Sequence, residues 1–193
     1  AQGEQAELLL YEKGAAEPAG RITFPKELRM GDVWNMSLAG DFAGLEYVYE
    51  VDGSLMEDPC GRQFAGREQW GSRDGGRAPL RAAAGAAEGA FDWEGDRRPE
   101  IPYERCVFYR LHARGFTRHP SSGVKAGDRG TFQAIAEKIP YLKDLGVTTL
   151  EMQPPVEFDE VMRPECPGAY EEPETEARLN YWGYAPGHLL APK

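Results

Sequence analysis

The chain has 193 residues, 41% of them hydrophobic and 28% charged, enough for one medium domain or two small ones with real cores. Its 22 Lys and Arg stand against 32 Asp and Glu, a formal charge of -10 that repels nucleic acid and anionic membrane surfaces and suits a neutral or cationic ligand. The mean hydropathy of -0.58 and the lack of an apolar run near the roughly 18 to 20 residues that span a bilayer argue against a transmembrane helix.

No charged-then-apolar signal opens the sequence. Cys60, Cys106 and Cys166 lie far apart without CxxC or Cys/His spacing, so structural zinc is not expected and one thiol is left over within a monomer. They read as reduced thiols of a cytoplasmic protein, export being the alternative had a signal preceded Ala1.

Four short strands are expected in the first sixty residues: Ala6 to Tyr11, Arg21 to Phe24, Val33 to Leu38 with Trp34 in the core, and Glu46 to Val51. The last alternates with period two and ends at the turn signal Asp52-Gly53, the pattern of an antiparallel sandwich. From Pro59 to Pro102 the composition shifts to Gly, Arg, Ala and Asp, and the low-complexity stretch Arg77 to Ala87 offers little to pack, so a mobile crossing is expected.

Cys106 to His112 is a mostly apolar run suited to a strand buried on both faces. Thr131 to Leu145 follows as an amphipathic helix with Phe132, Ile135, Ile139 and Leu142 at helical spacing, and Gly146 as its stop. Pro140 should bend or divide it. Val147 to Met152 then supplies a β-branched strand, which makes strand, helix and strand a parallel crossover unit. The acidic, proline-rich stretch from Pro155 to Ala177 reads as a long loop, and Asn180-Tyr181-Trp182-Gly183-Tyr184 resumes order with three aromatic residues. No internal repeat is visible.

Cys106-Val107-Phe108-Tyr109-Arg110-Leu111-His112-Ala113-Arg114-Gly115-Phe116-Thr117 resembles the first barrel strand of isoamylases, pullulanases and glycogen debranching enzymes of glycoside hydrolase family 13. Gly146 to Pro154 is similar to that family's second strand, and Asn180 to Tyr184 to the segment after its second-strand loop. Gly66-Arg67-Glu68-Gln69-Trp70-Gly71 and Phe91-Asp92-Trp93-Glu94-Gly95-Asp96 resemble the connector of the same enzymes. Val48 to Gly53 resembles a late strand of their family-48 carbohydrate-binding module.

The resemblance implies an immunoglobulin-like β-sandwich, incomplete at its start, over residues 1–58, a connector over 59–102, and over 103–193 the first βα units of a truncated (β/α)8 barrel. It implies a parent enzyme of the α-amylase superfamily that cleaves α-1,6 branch linkages of glycogen or starch-like glucans with retention, without a cofactor. The family's nucleophile, acid/base and third carboxylate come from its fourth, fifth and seventh barrel strands. Cys106 to Lys193 is about a third of the roughly 250 residues of a full barrel. No residue here therefore inherits a catalytic role, none is a metal ligand, and the missing carboxyl-terminal barrel portion becomes an implied partner beside the α-glucan.

The resemblance makes Tyr184 the first candidate for substrate binding, as a ring platform under the sugar beside the scissile bond; packing at the barrel rim is the alternative. Trp182 and Tyr181 either line the cleft or fill the core. Asn180 reads as a turn cap, His112 as a hydrogen-bonded core residue, and His119 and His188 as loop residues. Glu151, Glu157, Asp159 and Glu160 read as a solvated acidic loop rather than as acids of catalysis. The other functional readings are a branching enzyme or other α-glucan hydrolase of the superfamily, and a noncatalytic glucan-binding or interaction module.

Overall fold

Five strands make an antiparallel sheet in the computed structural model: Ala6–Glu12 (β1), Gly20–Thr23 (β2), Leu45–Val51 (β3), Ser54–Met56 (β4) and Ala82–Ala83 (β5). The structure describes residues 3–66, 70–71, 79–85, 92–160, 179–184 and 187–193. The sheet order is β2-β1-β3-β4, and β5 also pairs with β3. β1 pairs with the whole of β3, while the opposite edge of β3 is divided between β4 at Tyr49 to Val51 and β5 at Glu46 and Tyr47. The register sets Leu9 against Val48 and Tyr11 against Glu46. Because side chains alternate along a strand, this brings Leu9, Tyr11 and Val48 together in one buried cluster. Full burial of such side chains stabilises by roughly 1.5 to 3 kcal/mol each.

The Asp52-Gly53 signal forms a two-residue hairpin turn. Asp52 at φ 48° and Gly53 at φ 80° both take the positive angles that a type I′ turn requires. The Asp52 carboxylate also accepts hydrogen bonds from the backbone N–H groups of Glu4 at 3.0 Å and Gln5 at 2.9 Å, just ahead of β1. Within the sheet Glu46 is buried. Its carboxylate lies 3.7 Å from the Arg81 guanidinium and accepts from the Gly14 N–H, and Arg81 lies 3.5 Å over the Tyr11 ring.

Phe108–His112 (β6), the short helix Ala113–Thr117 (α1), the helix Phe132–Asp144 (α2) and Thr149–Gln153 (β7) follow, and β6 and β7 pair in parallel, as the sequence predicts. The Thr131 hydroxyl caps α2 by accepting from the Ala134 N–H at 3.3 Å, and Gly146 at φ 88° ends its last turn. Leu111, Ala113 and Ile135 form the buried cluster here, with Tyr109, Phe116, Phe132, Leu150 and Met152 packed against it. Val156–Phe158 (β8) and Gly187–Pro192 (β9) form an antiparallel pair. The chain groups into two compact units. One draws on Ala1–Ala90, Val156–Asn180 and Ala185–Pro192, and the other on Phe91–Pro155, Tyr181–Tyr184 and Lys193.

Several sequence expectations are corrected. Val33 to Leu38 forms no strand, because Met30 and Val33 exchange backbone hydrogen bonds across Gly31 at φ 59° and close a local turn instead. Trp34 is half-buried beneath the Arg29 guanidinium rather than in the core, and its Nε1 is buried without a hydrogen-bond partner. The stretch taken to offer little packing contains Ala82, fully buried in β5, where a small side chain fits against β3 and Gly61; Arg77, Ala78, Ala86 and Ala87 of it lie outside the described residues.

α2 runs through Pro140 undivided, since the missing bond would have served Ala136, which is exposed at the same solvent face. Ile139, at the margin of the apolar stripe, is exposed. β6 is not buried on both faces: Val107 and Phe108 are exposed, β7 being its one partner among the described residues.

The segment after Pro155 is a strand rather than a loop at Val156 to Phe158, and the remainder from 161 to 177 lies outside the described residues. Glu157 and Glu160 are buried, not solvated: Glu157 accepts from the Phe158 N–H and Glu160 from the Gly71 N–H. Asn180 bridges to the same segment, its N–H donating to Glu160 O at 2.7 Å and its Nδ2 to Asp159 O at 3.1 Å. His188 is a strand residue, 3.0 Å from the Glu57 carboxylate and stacked on Phe64 at 4.0 Å. Trp70 meets Phe158 edge-on. Cys60 and Cys106 are free thiols, and Cys166 lies outside the described residues.

On β3 the Tyr47 hydroxyl donates to Asp58 at 2.6 Å, and its ring meets Tyr49 edge-on. Burial first, and then the neighbouring Asp58 carboxylate, push the Tyr49 phenol up to about 12, and the same two causes push Tyr47 up further. A phenol that holds its proton more tightly when folded stabilises fully below its unfolded value near 10.0 and loses that contribution as pH climbs toward 12. Thermal melts from pH 9 to 12 should therefore show Tm falling steeply above about pH 10. Tyr47→Phe should be less stable at pH 8 by about 1 kcal/mol but show a shallower alkaline fall; an unchanged alkaline slope would remove Tyr47 as its source.

Candidate functional site

The end of β6 meets the aromatic segment. His112 closes the strand, its ring is 9% exposed, and its two nitrogens face two different backbone groups. Nδ1 accepts from the Gly115 N–H at 3.1 Å and so caps α1. Nε2 lies 2.7 Å from the Tyr181 carbonyl oxygen, an acceptor only, so Nε2 carries the donated proton and Nδ1 the lone pair. The expectation of a hydrogen-bonded, buried His112 is met in this form.

The rings add a second layer to the same contact. His112 and Tyr181 stack at 4.1 Å with 6° between their planes, and Trp182 stands edge-on to both, at 5.4 Å and 5.3 Å. A Cβ at Gly115 would overlap the Tyr181 hydroxyl, so a larger residue there would push the Tyr181 side chain aside. Gly183 lies at φ 68°, a left-handed conformation that reverses the chain between Trp182 and Tyr184.

Arg110, two residues before His112 and therefore on the same face of β6, pairs with Glu151 directly across on β7. Glu151 first by hydrogen bond and then by charge, and further down the Tyr184 phenol, raise the Arg110 guanidinium above its ordinary value. Tyr184 itself is 75% exposed. Trp182 and Tyr181 are 52% and 37% exposed.

Tyr181 and Trp182 are therefore held together with His112 at the end of β6, and the exposed Tyr184 follows them across Gly183. Such exposed rings can take the C–H faces of a neutral sugar, and the surrounding charged pair can hydrogen-bond its hydroxyls. The sequence reading missed Arg110 and Glu151, whose pairing depends on the parallel register, and the tethering part played by His112. The one sequence signal for the latter is Gly115 three residues on, at the position whose N–H a strand-end side chain can cap. No group of three or more His, Cys, Asp or Glu among the described residues is placed to hold a metal ion.

The chain is 33% identical over 221 residues to the glycogen debranching enzyme of Yersinia enterocolitica, covering 100% of this chain and 30% of that one. It is 32% identical over 184 residues to the chloroplastic isoamylase 1 of Arabidopsis thaliana, covering 87% of this chain and 23% of the other. Among solved structures it is similar to apo pullulanase from Paenibacillus barengoltzii, with a TM-score of 0.64 and 23% identity over 99% of this chain and 29% of that one. Type I pullulanase from Bacillus subtilis in complex with maltose gives a TM-score of 0.67 at 20% identity, with 99% and 25% covered. The chain thus spans less than a third of the length of the curated relatives described here, and it shares its strand-rich fold with pullulanases. No protein-family model matches it.

Gly183→Ala places a side chain in a left-handed conformation that costs about 1 to 2 kcal/mol, which for a chain of this size lowers Tm by roughly 2 to 4 °C per kcal/mol. Gly183→Asn should cost distinctly less, because asparagine tolerates that conformation. Differential scanning calorimetry of the two variants checks this; equal melting temperatures for Ala and Gly would mean that the turn does not need its positive angle.

Proposed function

We propose, from the premise that this chain belongs with the isoamylases and glycogen debranching enzymes, that it is part of a glycoside hydrolase cleaving α-1,6 branch linkages in glycogen or starch-like glucans. In this reading residues 1–58, which carry β1 to β4, are a β-sandwich domain of the carbohydrate-binding-module type, and 59–102, which carries β5, is a connector. Residues 103–193 supply the first βα units of a (β/α)8 barrel, whose remaining portion is the partner of this chain. The parallel pair β6 and β7 with α2 between them supports the barrel assignment. The free Cys60 and Cys106 support a cytoplasmic setting.

The chemistry assigned to the whole enzyme is double displacement with retention. A carboxylate attacks the anomeric carbon while a carboxylic acid protonates the leaving oxygen, the two groups lying about 5 to 5.5 Å apart across the bond. Both belong to the portion that this chain does not span. The chain contributes substrate contact: Tyr184 as the sugar platform, with Trp182 and Tyr181 beside it.

The observation that carries this reading is the pairing of a 75% exposed Tyr184 ring with a segment anchored through His112. A structural neighbour, the D470A mutant pullulanase of Paenibacillus barengoltzii, is complexed with maltotetraose, and a further pullulanase, called GBS pullulanase SAP, is also complexed with maltotetraose. Binding of an α-glucan by this chain is the corresponding proposal.

Two measurements test it. The chain by itself should release no reducing ends from glycogen, pullulan or amylopectin, and sustained turnover by a contaminant-free preparation would refute the assignment of the carboxylates elsewhere. In an enzyme carrying the complete barrel, Tyr184→Ala should lower kcat/KM roughly 30- to 150-fold, the equivalent of about 2 to 3 kcal/mol of lost transition-state contact, and Tyr184→Phe far less. Unchanged kcat/KM in folded Tyr184→Ala would remove Tyr184 from the site.

A further inference from the structure

We propose that His112 is a positioning residue for the Tyr181–Tyr184 segment, its Nε2 setting the peptide plane from which Trp182 and Tyr184 project. Only the consequence for glucan binding rests on the reading above; the tether itself does not.

The geometry leads there in three steps. First, the Tyr181 carbonyl that Nε2 reaches at 2.7 Å belongs to the peptide joining Tyr181 to Trp182, so this bond fixes the plane entering Trp182. The parallel stack at 4.1 Å and 6° holds the Tyr181 ring on the other side of the same residue. Second, Gly183 at φ 68° turns the chain between Trp182 and Tyr184, so the plane fixed at Tyr181 governs how Tyr184 leaves the segment. The segment is therefore held to β6 through His112 at its start.

Third, burying an imidazole for packing alone is unfavourable: a leucine would fill similar space with no polar atoms to satisfy. Both ring nitrogens are spent on directional bonds, one local to α1 and one to a residue 69 positions away. The local bond caps a helix. The distant one orients the aromatic residues.

Two amide side chains separate these duties. An asparagine amide ends near the position of Nδ1 and can still accept from Gly115, whereas a glutamine amide reaches the position of Nε2 and can still donate to Tyr181. Protein labelled with 5-fluorotryptophan gives separate 19F signals for Trp34, Trp70, Trp93 and Trp182, with Trp182→Phe identifying its own. Both variants lose the imidazole that stands edge-on to Trp182, but in His112→Asn the Trp182 signal should move distinctly further toward its solvent-exposed position than in His112→Gln. The other three signals, unmoved, report intact folding.

Titration with maltotetraose should shift the wild-type Trp182 signal. Its Kd should rise about tenfold in His112→Asn, the loss of one hydrogen bond expressed as affinity, and about twofold or less in His112→Gln. A Trp182 signal that moves equally in both variants, or more in Gln than in Asn, overturns the positioning role and leaves His112 as a helix cap. Should His112→Asn fail to fold, the Gln variant decides alone: a Trp182 signal at its fully solvent-exposed position there refutes the tether. A wild-type Trp182 signal that ignores maltotetraose would instead defeat the glucan reading, with the comparison of variants still deciding the tether.

Discussion

A carbonyl oxygen can only accept and a backbone N–H can only donate, and the site is built around one ring that meets both conditions at once. His112 answers Gly115 with a lone pair and Tyr181 with a proton. That polarity determines which way round the ring must sit, and with it the stacking plane offered to Tyr181. Phe or Leu in its place would give neither bond. The glycine at 115 fits the same contact, since the Tyr181 hydroxyl takes the space a Cβ would fill there. His112, Gly115 and Tyr181 thus meet in one packing arrangement at the end of β6.

In the unit that carries β1 to β5, the corresponding constraint is satisfaction of a central strand. β3 is bonded along both edges, by β1 on one and by β4 and β5 on the other. Full pairing removes the exposed edge that would invite association, and it also buries Glu46 among backbone. The carboxylate is tolerable because Arg81 lies beside it and the Gly14 N–H donates to it. Arg81 adds to this by lying over Tyr11 and donating to the Ala15 carbonyl, so one side chain joins β5's approach to β1 and the loop beyond it.

Local signals in the sequence were legible wherever local chemistry decides the outcome. The alternation in β3, the Asp52-Gly53 turn, the start of α2 at Thr131 and the Gly146 stop all appear where their residues predict them. Readings failed where distant partners decide. Val33 to Leu38 has strand-forming residues, yet the Met30 to Val33 turn claims its start. Ala82 carries no pattern, but β3 has an edge to fill, and an alanine is small enough to reach it. Glu157 and Glu160 read as solvated because acids usually are, and backbone N–H groups of Phe158 and Gly71 reverse that. At the site, Tyr181, Trp182 and Tyr184 stood out by composition and by resemblance, whereas Arg110 and Glu151 became visible only with the register of β6 and β7.

The Asp52 carboxylate, bonded to amides 48 and 47 positions away, also bears on the order of assembly. A two-residue turn closes almost no loop, so β3 and β4 can form as a hairpin in microseconds, with Asp52 already at its tip. β1 arrives later, because joining it to β3 closes a long loop whose entropy must be spent before any pairing rewards it. When it does arrive, the waiting carboxylate selects one alignment. A slip of a single residue would turn Leu9 and Tyr11 to the opposite face and strand the amides of Glu4 and Gln5 without their acceptor. The turn residue that begins folding locally thereby restricts the register of a long-range pairing.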